Sequence, residues 1–127
     1  MNLHYLGQSG FAVTSGEHLV LIDPFLSGNP LAVDRPESFS PAHIVLTHAH
    51  GDHYGATEAI ARQSGATVVT SFEVANYLGQ KGIEALGMNI GGQAALPFGT
   101  VKYTPAWHSN SLPDGTYAGM PSGVVLT

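Results

Sequence analysis

The 127 residues amount to one domain, long enough to bury a sizeable core. Hydrophobic residues make up 43% and charged residues 10%, the opposite of a disordered tail, while 16 glycines and 8 prolines point to many tight turns rather than a helical bundle. A net charge of −5 with only four scattered basic residues (Arg35, Arg62, Lys81, Lys102) excludes a phosphate-neutralising stripe, so no nucleic-acid partner is expected. The absence of cysteine excludes disulfides and thiolate metal ligands and suits a reducing compartment. No basic stretch followed by an apolar run opens the chain, and runs such as Leu19-Val20-Leu21-Ile22 are too short to cross a bilayer. The sequence therefore reads as soluble and cytoplasmic, without a membrane partner.

Three short runs open the chain, Leu3–Leu6, Phe11–Thr14 and Leu19–Ile22, each rich in aromatic and branched residues and punctuated by Gly7 to Gly10 and Ser15-Gly16-Glu17. That is the signature of a meander. Asp23-Pro24 ends the third strand, and a proline-broken loop runs from Phe25 to about Pro41. Ile44–Thr47 is a continuous apolar strand. Ala56–Arg62 is a helix with Gly55 at its entry and Gly65 as its stop, Thr67–Thr70 a buried strand, and Phe72–Gln80 a second helix ending at Gly79 or Gly82. Alternating strands and helices imply a sheet with helices on one face. Gly87–Gly92 reads as a turn, Val101–Thr104 as a strand, and Val124–Thr127 as a β-run in which the chain stops without a cap or polar tail.

The chemistry concentrates at His48-Ala49-His50-Gly51-Asp52-His53, four potential ligands in six residues directly after a buried strand. Residues two apart on an extended strand project to the same side, so His48 and His50 converge. Gly51 is expected to let the backbone turn tightly, so that Asp52 and His53 face a second point nearby. Imidazoles and a carboxylate without sulfur suit zinc, iron, manganese or nickel. His108 reads either as the further imidazole that a tetrahedral site needs or as a surface histidine beside Ser109 and Asn110. His18 reads as exposed in a turn, and His4 and His43 as ordinary sheet-edge residues.

The H-x-H-x-D-H segment resembles the signature of the metallo-β-lactamase superfamily. Tyr5-Leu6-Gly7-Gln8-Ser9-Gly10-Phe11, Leu21-Ile22-Asp23-Pro24, Gly87–Gly92 and Tyr103-Thr104-Pro105-Ala106-Trp107-His108 are similar to its small ascorbate-6-phosphate-lactonase-like metal-dependent hydrolases, with Gln8 where many relatives have histidine. The resemblance implies an α/β/β/α sandwich made of two similar halves. Residues 1–127 are then the N-terminal half, a sheet with its helices whose inner face lies uncovered. It also implies a binuclear site: His48, His50 and His108 hold the first ion, Asp52 and His53 the second, and Asp23 orients ligand histidines from behind. The bridging aspartate and final histidine of that pattern have no counterpart here, since Asp114 sits in a turn and no histidine follows His108.

A complementary C-terminal half-chain or a second copy is therefore expected as partner. The expected chemistry is hydrolysis of a lactone, ester or phosphate ester of a small anionic metabolite by a metal-bound hydroxide that Asp52 helps to orient. The alternative is a non-catalytic metal-binding half-domain. A di-iron redox protein on the same fold would need an electron-transfer partner of which the sequence gives no sign.

Overall fold

A computed structural model describes all 127 residues. The meander forms as read, with β1 (Asn2–Gly7), β2 (Gly10–Ser15) and β3 (His18–Ile22) pairing antiparallel in sequence order. From β3 onward the sheet turns parallel through β4 (His43–Val45), β5 (Thr67–Ser71) and β6 (Ala85–Met88), giving the spatial order β1-β2-β3-β4-β5-β6. Three helices lie between these strands: α1 (Gly51–Tyr54), α2 (Thr57–Ser64) and α3 (Phe72–Gln80). The long loop after β3 contains only a 3-10 turn at Pro36–Ser38.

Strand residues alternate between two dry faces. Leu21, Ile44 and Val68 point to one side, where they meet Ile60 and Ala61 of α2 and Val74 and Leu78 of α3. Their neighbours Val20, Val45 and Val69 point to the other side, and all six are fully buried. Burial of such a side chain stabilises by about 1.5–3 kcal/mol, so this central strip is the main cohesive element. Continuous apolar runs are what a parallel sheet covered on both faces requires. α3 keeps its predicted limits because Ser71 caps it, its hydroxyl accepting from the Val74 N–H, and α2 closes on Gly65 in the left-handed conformation.

The expectation of one sheet with a bare inner face is corrected. A second, antiparallel sheet of β7 (Gln93–Leu96), β8 (Gly99–Pro105) and β9 (Ser122–Leu126) lies against that face. Val101 and Tyr103 of β8 complete the cluster formed by Val13, Val20, Val45, Val69 and Met88. The chain thus contributes three layers, helices, large sheet and small sheet. The Tyr103 hydroxyl is shared between the carbonyls of Leu46 (2.6 Å) and Val69 (3.0 Å) and pins the small sheet to the large one. Tyr103→Phe leaves the Leu46 carbonyl short of its donor and is expected to cost about 1–3 kcal/mol. Urea unfolding with an unchanged m-value measures it.

Two histidine readings are corrected as well. β4 is interior to the sheet, so His43 is not an edge residue; it is half-buried, with its ring edge-on to Phe98 at 5.1 Å between centroids. Burial, with His18 next, holds its pKa below the usual histidine value. His18 begins β3 and is half-buried rather than free in a turn. His4 lies on edge strand β1 and contacts Asp34 Oδ2 at 2.8 Å.

Candidate metal centre

The parallel strands deliver their carboxyl ends to one rim of the molecule, the usual place for a site in an open α/β sheet. β3 ends in Asp23, and β4 runs on through Thr47 into His48 and His50. α1 carries Asp52 and His53, the turn between β1 and β2 adds Gln8, and the chain leaving β8 brings His108. A cavity of about 430 Å³ opens there, walled by Phe11, Ile22, Trp107 and Val124 and reaching His48, His53 and His108.

The backbone reaches this arrangement differently from the reading of the sequence. Gly51 opens α1 without a positive φ, and a Cβ there would meet open space, so glycine is not demanded. The demanding residue is Gly55, which closes α1 at φ +42°; a Cβ there would stand 2.6 Å from the Pro24 carbonyl. This close approach packs α1 onto the segment after Asp23, and Ala56 N–H donates to the same carbonyl. Asn110 holds the other side: its buried side chain accepts from Ala49 N–H at 2.9 Å and donates to the Ala118 carbonyl at 2.8 Å.

Donor atoms of His48, His50 and His108 lie within 4.8 Å of one another, so the structure brings the first predicted trio together. Their rings crowd around His48, with centroids 4.7 Å from His50, 4.6 Å from His108 and 4.0 Å from His53. Asp52 and His53 are neighbours, 3.7 Å between Oδ2 and Nε2. No third donor makes a compact group with that pair.

Asp23 is almost fully buried and takes a positive φ of 43°. Its Oδ1 accepts from the Thr47 N–H (2.8 Å), and its Oδ2 from the Thr47 hydroxyl (2.6 Å) and His53 Nδ1 (2.9 Å). Its donor atom also falls within 4.8 Å of those of His48 and His53. That trio is a hydrogen-bond relay rather than an ion cage, because three donors already occupy the carboxylate and the His53 nitrogen nearest it is one of them.

The relay dictates tautomers. A carboxylate only accepts, so the Thr47 hydroxyl spends its proton on Asp23 and must accept from His48 Nδ1, 2.9 Å away. His48 therefore carries its proton on Nδ1 and presents a lone pair at Nε2. His53 does the same because its Nδ1 donates to Asp23, and His108 because its Nδ1 donates to the Ser109 carbonyl at 2.8 Å. His48 Nε2 is buried and meets no hydrogen-bond partner. Such orphaned atoms in native proteins call for an explanation, and a cation among imidazole lone pairs supplies one. The donor set fits a divalent metal ion.

The electrostatics agree. Burial pushes the His48 pKa down to about 4, helped by the neighbouring His53, so the ring stays neutral and ligating. The Asp23 hydrogen bond raises His53 above the usual value, against the opposing effect of its own burial. Sequence reasoning missed Thr47 and Asn110; a hydroxyl directly before the first histidine was the available signal for Thr47, and nothing local marked Asn110.

An α/β/β layering with histidines gathered at the sheet rim defines a sandwich with a candidate metal centre. The profile described as Metallo-beta-lactamase superfamily matches residues 6–124, and the chain belongs to that superfamily. It is 44% identical over 126 residues to a UPF0173 metal-dependent hydrolase of Thermus thermophilus, covering 99% of this chain and 56% of that protein. To YtkL of Bacillus subtilis, a UPF0173 metal-dependent hydrolase, it is 43% identical over 132 residues, covering 100% of this chain and 58% of the other. The solved structure of Igni18, a metallo hydrolase from Ignicoccus hospitalis, matches with a TM-score of 0.86 and 36% identity, covering 98% of this chain and 55% of that one. The chain thus spans just over half the length of these relatives. No helix is long and apolar enough to cross a membrane.

Proposed function

We propose that this chain grips the ions of a metal-dependent hydrolase, with His48, His50 and His108 holding the first and Asp52 and His53 facing the second. The observation that carries the reading is the buried, unpartnered Nε2 of His48, aimed among other imidazoles by a proton relay that ends on Asp23. Superfamily membership and relatives named metal-dependent hydrolases support the reaction class. Nitrogen donors with one carboxylate and no sulfur favour zinc, with manganese, iron and nickel as fitting substitutes. When bound, a divalent cation draws the pKa of a coordinated water towards neutrality and polarises a carbonyl or phosphoryl oxygen.

The chain's own residues do the rest. Asp23 and Thr47 fix His48 and His53 in the tautomer that carries its proton on Nδ1, and burial keeps the His48 ring neutral. Asp52, half-exposed beside His53, orients the attacking water through its carboxylate. Phe11, Ile22, Trp107 and Val124 give the reacting bond an apolar wall. Two cations against a single ligating carboxylate leave the cavity positive, which favours an anionic metabolite bearing a lactone, ester or phosphate ester.

A complementary C-terminal half-chain, or else a second copy, provides the donors that the Asp52–His53 pair lacks. The competing reading is a metal-binding half-domain without turnover, since the His48 geometry would serve it equally. Elemental analysis followed by hydrolysis of p-nitrophenyl phosphates, esters and lactones separates them. Metal with turnover only beside a complementing polypeptide is the expected result. Turnover by the 127 residues alone removes the need for a complement, and metal without turnover in the complemented protein favours the non-catalytic reading.

A further inference from the structure

Gln8 stands in a conformation that its side chain makes costly. It is the first residue of the two-residue turn between Gly7 and Gly10, and its φ of +55° lies in the region that favours glycine. Besides Asp23 it is the only residue other than glycine with a positive φ. The turn is pressed against the site, since a Cβ on Gly10 would stand 2.9 Å from the Asp23 carbonyl. Strain of this kind persists where surrounding contacts over-determine it, and it gathers at functional sites.

Two contacts hold Gln8 there. The Tyr5 hydroxyl donates to its backbone carbonyl at 2.9 Å, and its own side-chain Nε2 donates to Asp52 Oδ2 at 3.0 Å. The second contact spans 44 residues of sequence and is the only hydrogen bond received by the Asp52 carboxylate. Asp52 sits in the first turn of a four-residue helix with its side chain half in solvent, so little else restrains it. The amide engages Oδ2, the oxygen that also stands 3.7 Å from His53 Nε2, and Oδ1 receives no hydrogen bond.

We infer that Gln8 is a positioning residue for the second ion: its amide fixes the rotamer of Asp52 and leaves one carboxylate oxygen to the metal, at the expense of turn stability. The inference rests on the reading of Asp52 and His53 as ligands given above. Hydrogen bonds to ligating carboxylates tune metal affinity by about 10–100-fold when removed.

The test uses the full chain together with its complement, which supplies the further donors of the Asp52–His53 ion, and compares Gln8→Gly, which relieves the strained φ, with Gln8→Asn, which tolerates that φ and keeps an amide too short to reach. Zinc titration calorimetry of the metal-free protein should show the weaker ion losing about tenfold in affinity in both variants, with the tighter ion within about twofold of wild type. Thermal unfolding in chelator should show Gln8→Gly melting a few degrees higher than wild type. Loss of affinity together with gain of stability is a pattern that a purely structural role cannot give. Unchanged affinity for the weaker ion in either variant overturns the inference while leaving the His48–His50–His108 ion standing. So does equal weakening of both ions with a lowered melting temperature. Failure of the wild-type chain to take up any zinc overturns the metal reading and this inference with it.

Discussion

Asparagine at position 23 is expected to silence two imidazoles at once while leaving side-chain volume nearly unchanged. The Thr47 N–H can only donate, so the remaining oxygen of the amide must stay at the Oδ1 position to receive it. The NH2 group then replaces Oδ2, 2.6 Å from the Thr47 hydroxyl and 2.9 Å from His53 Nδ1. Its two hydrogens turn both neighbours into acceptors. Thr47 then rotates its own proton towards His48 Nδ1, 2.9 Å away, and both rings must carry their proton on Nε2. The lone pairs that faced the site are gone. Zinc affinity should fall by about 100-fold, the upper end of what loss of a histidine's supporting partner costs. Nitrogen-15 NMR of the imidazoles should show the Nδ1–H form in the wild type and the Nε2–H form in Asp23→Asn. A variant that binds zinc as tightly as the parent, with its tautomers unmoved, would break the relay argument.

The contrast between this relay and the ligands themselves shows where sequence reading succeeds. His48, His50, Asp52 and His53 are legible because a strand end imposes a local periodicity, and short-range geometry survives whatever the rest of the fold does. The faces of Val20/Leu21, Ile44/Val45 and Val68/Val69 are legible on the same ground. β7 is not: Gln93-Ala94-Ala95-Leu96 has neither branched nor aromatic residues and becomes a strand only because β8 pairs with it. The small sheet that covers the inner face of the large one is therefore only partly legible in the sequence. Spacing points to Gly51 as the turn-former, whereas Gly55 is the glycine that meets a neighbouring backbone. Gln8 on Asp52, Thr47 on Asp23 and Asn110 on Ala49 link positions 44, 24 and 61 residues apart. Contacts of that range are created by the topology and leave no periodic trace. His108 is an intermediate case: its residue type suggests a ligand, but only the return of the chain from β8 brings it to His48.

Zinc should raise the unfolding temperature near neutral pH, and the rise should fade as pH falls towards 4. In the metal-free protein His48 is held down to about 4 against an ordinary 6.5, so the native state binds fewer protons than the unfolded chain between those values. Stability is then complete above about pH 6.5 and drains away as pH falls through that window. His43, also lowered by burial, acts in the same direction. His53 opposes them: its value is raised, so its contribution is present below 6.5 and is lost as pH rises through its folded value. Two lowered groups, one of them strongly displaced, outweigh one raised group, and the net slope is a loss on the acid side. Zinc adds a second slope of the same sign, because ligands must shed protons to bind it. At about a thousandfold excess over its dissociation constant, ligand binding adds about 4 kcal/mol to the native state. His48→Ala separates the two slopes. It removes the buried ring that resists protonation, so the metal-free acid slope flattens, and it removes the central ligand, so the zinc-dependent rise disappears. Melting curves from pH 4 to 8, with zinc and with chelator, measure both; a His48→Ala protein that still gains several degrees from zinc would show that the ion is held by other residues.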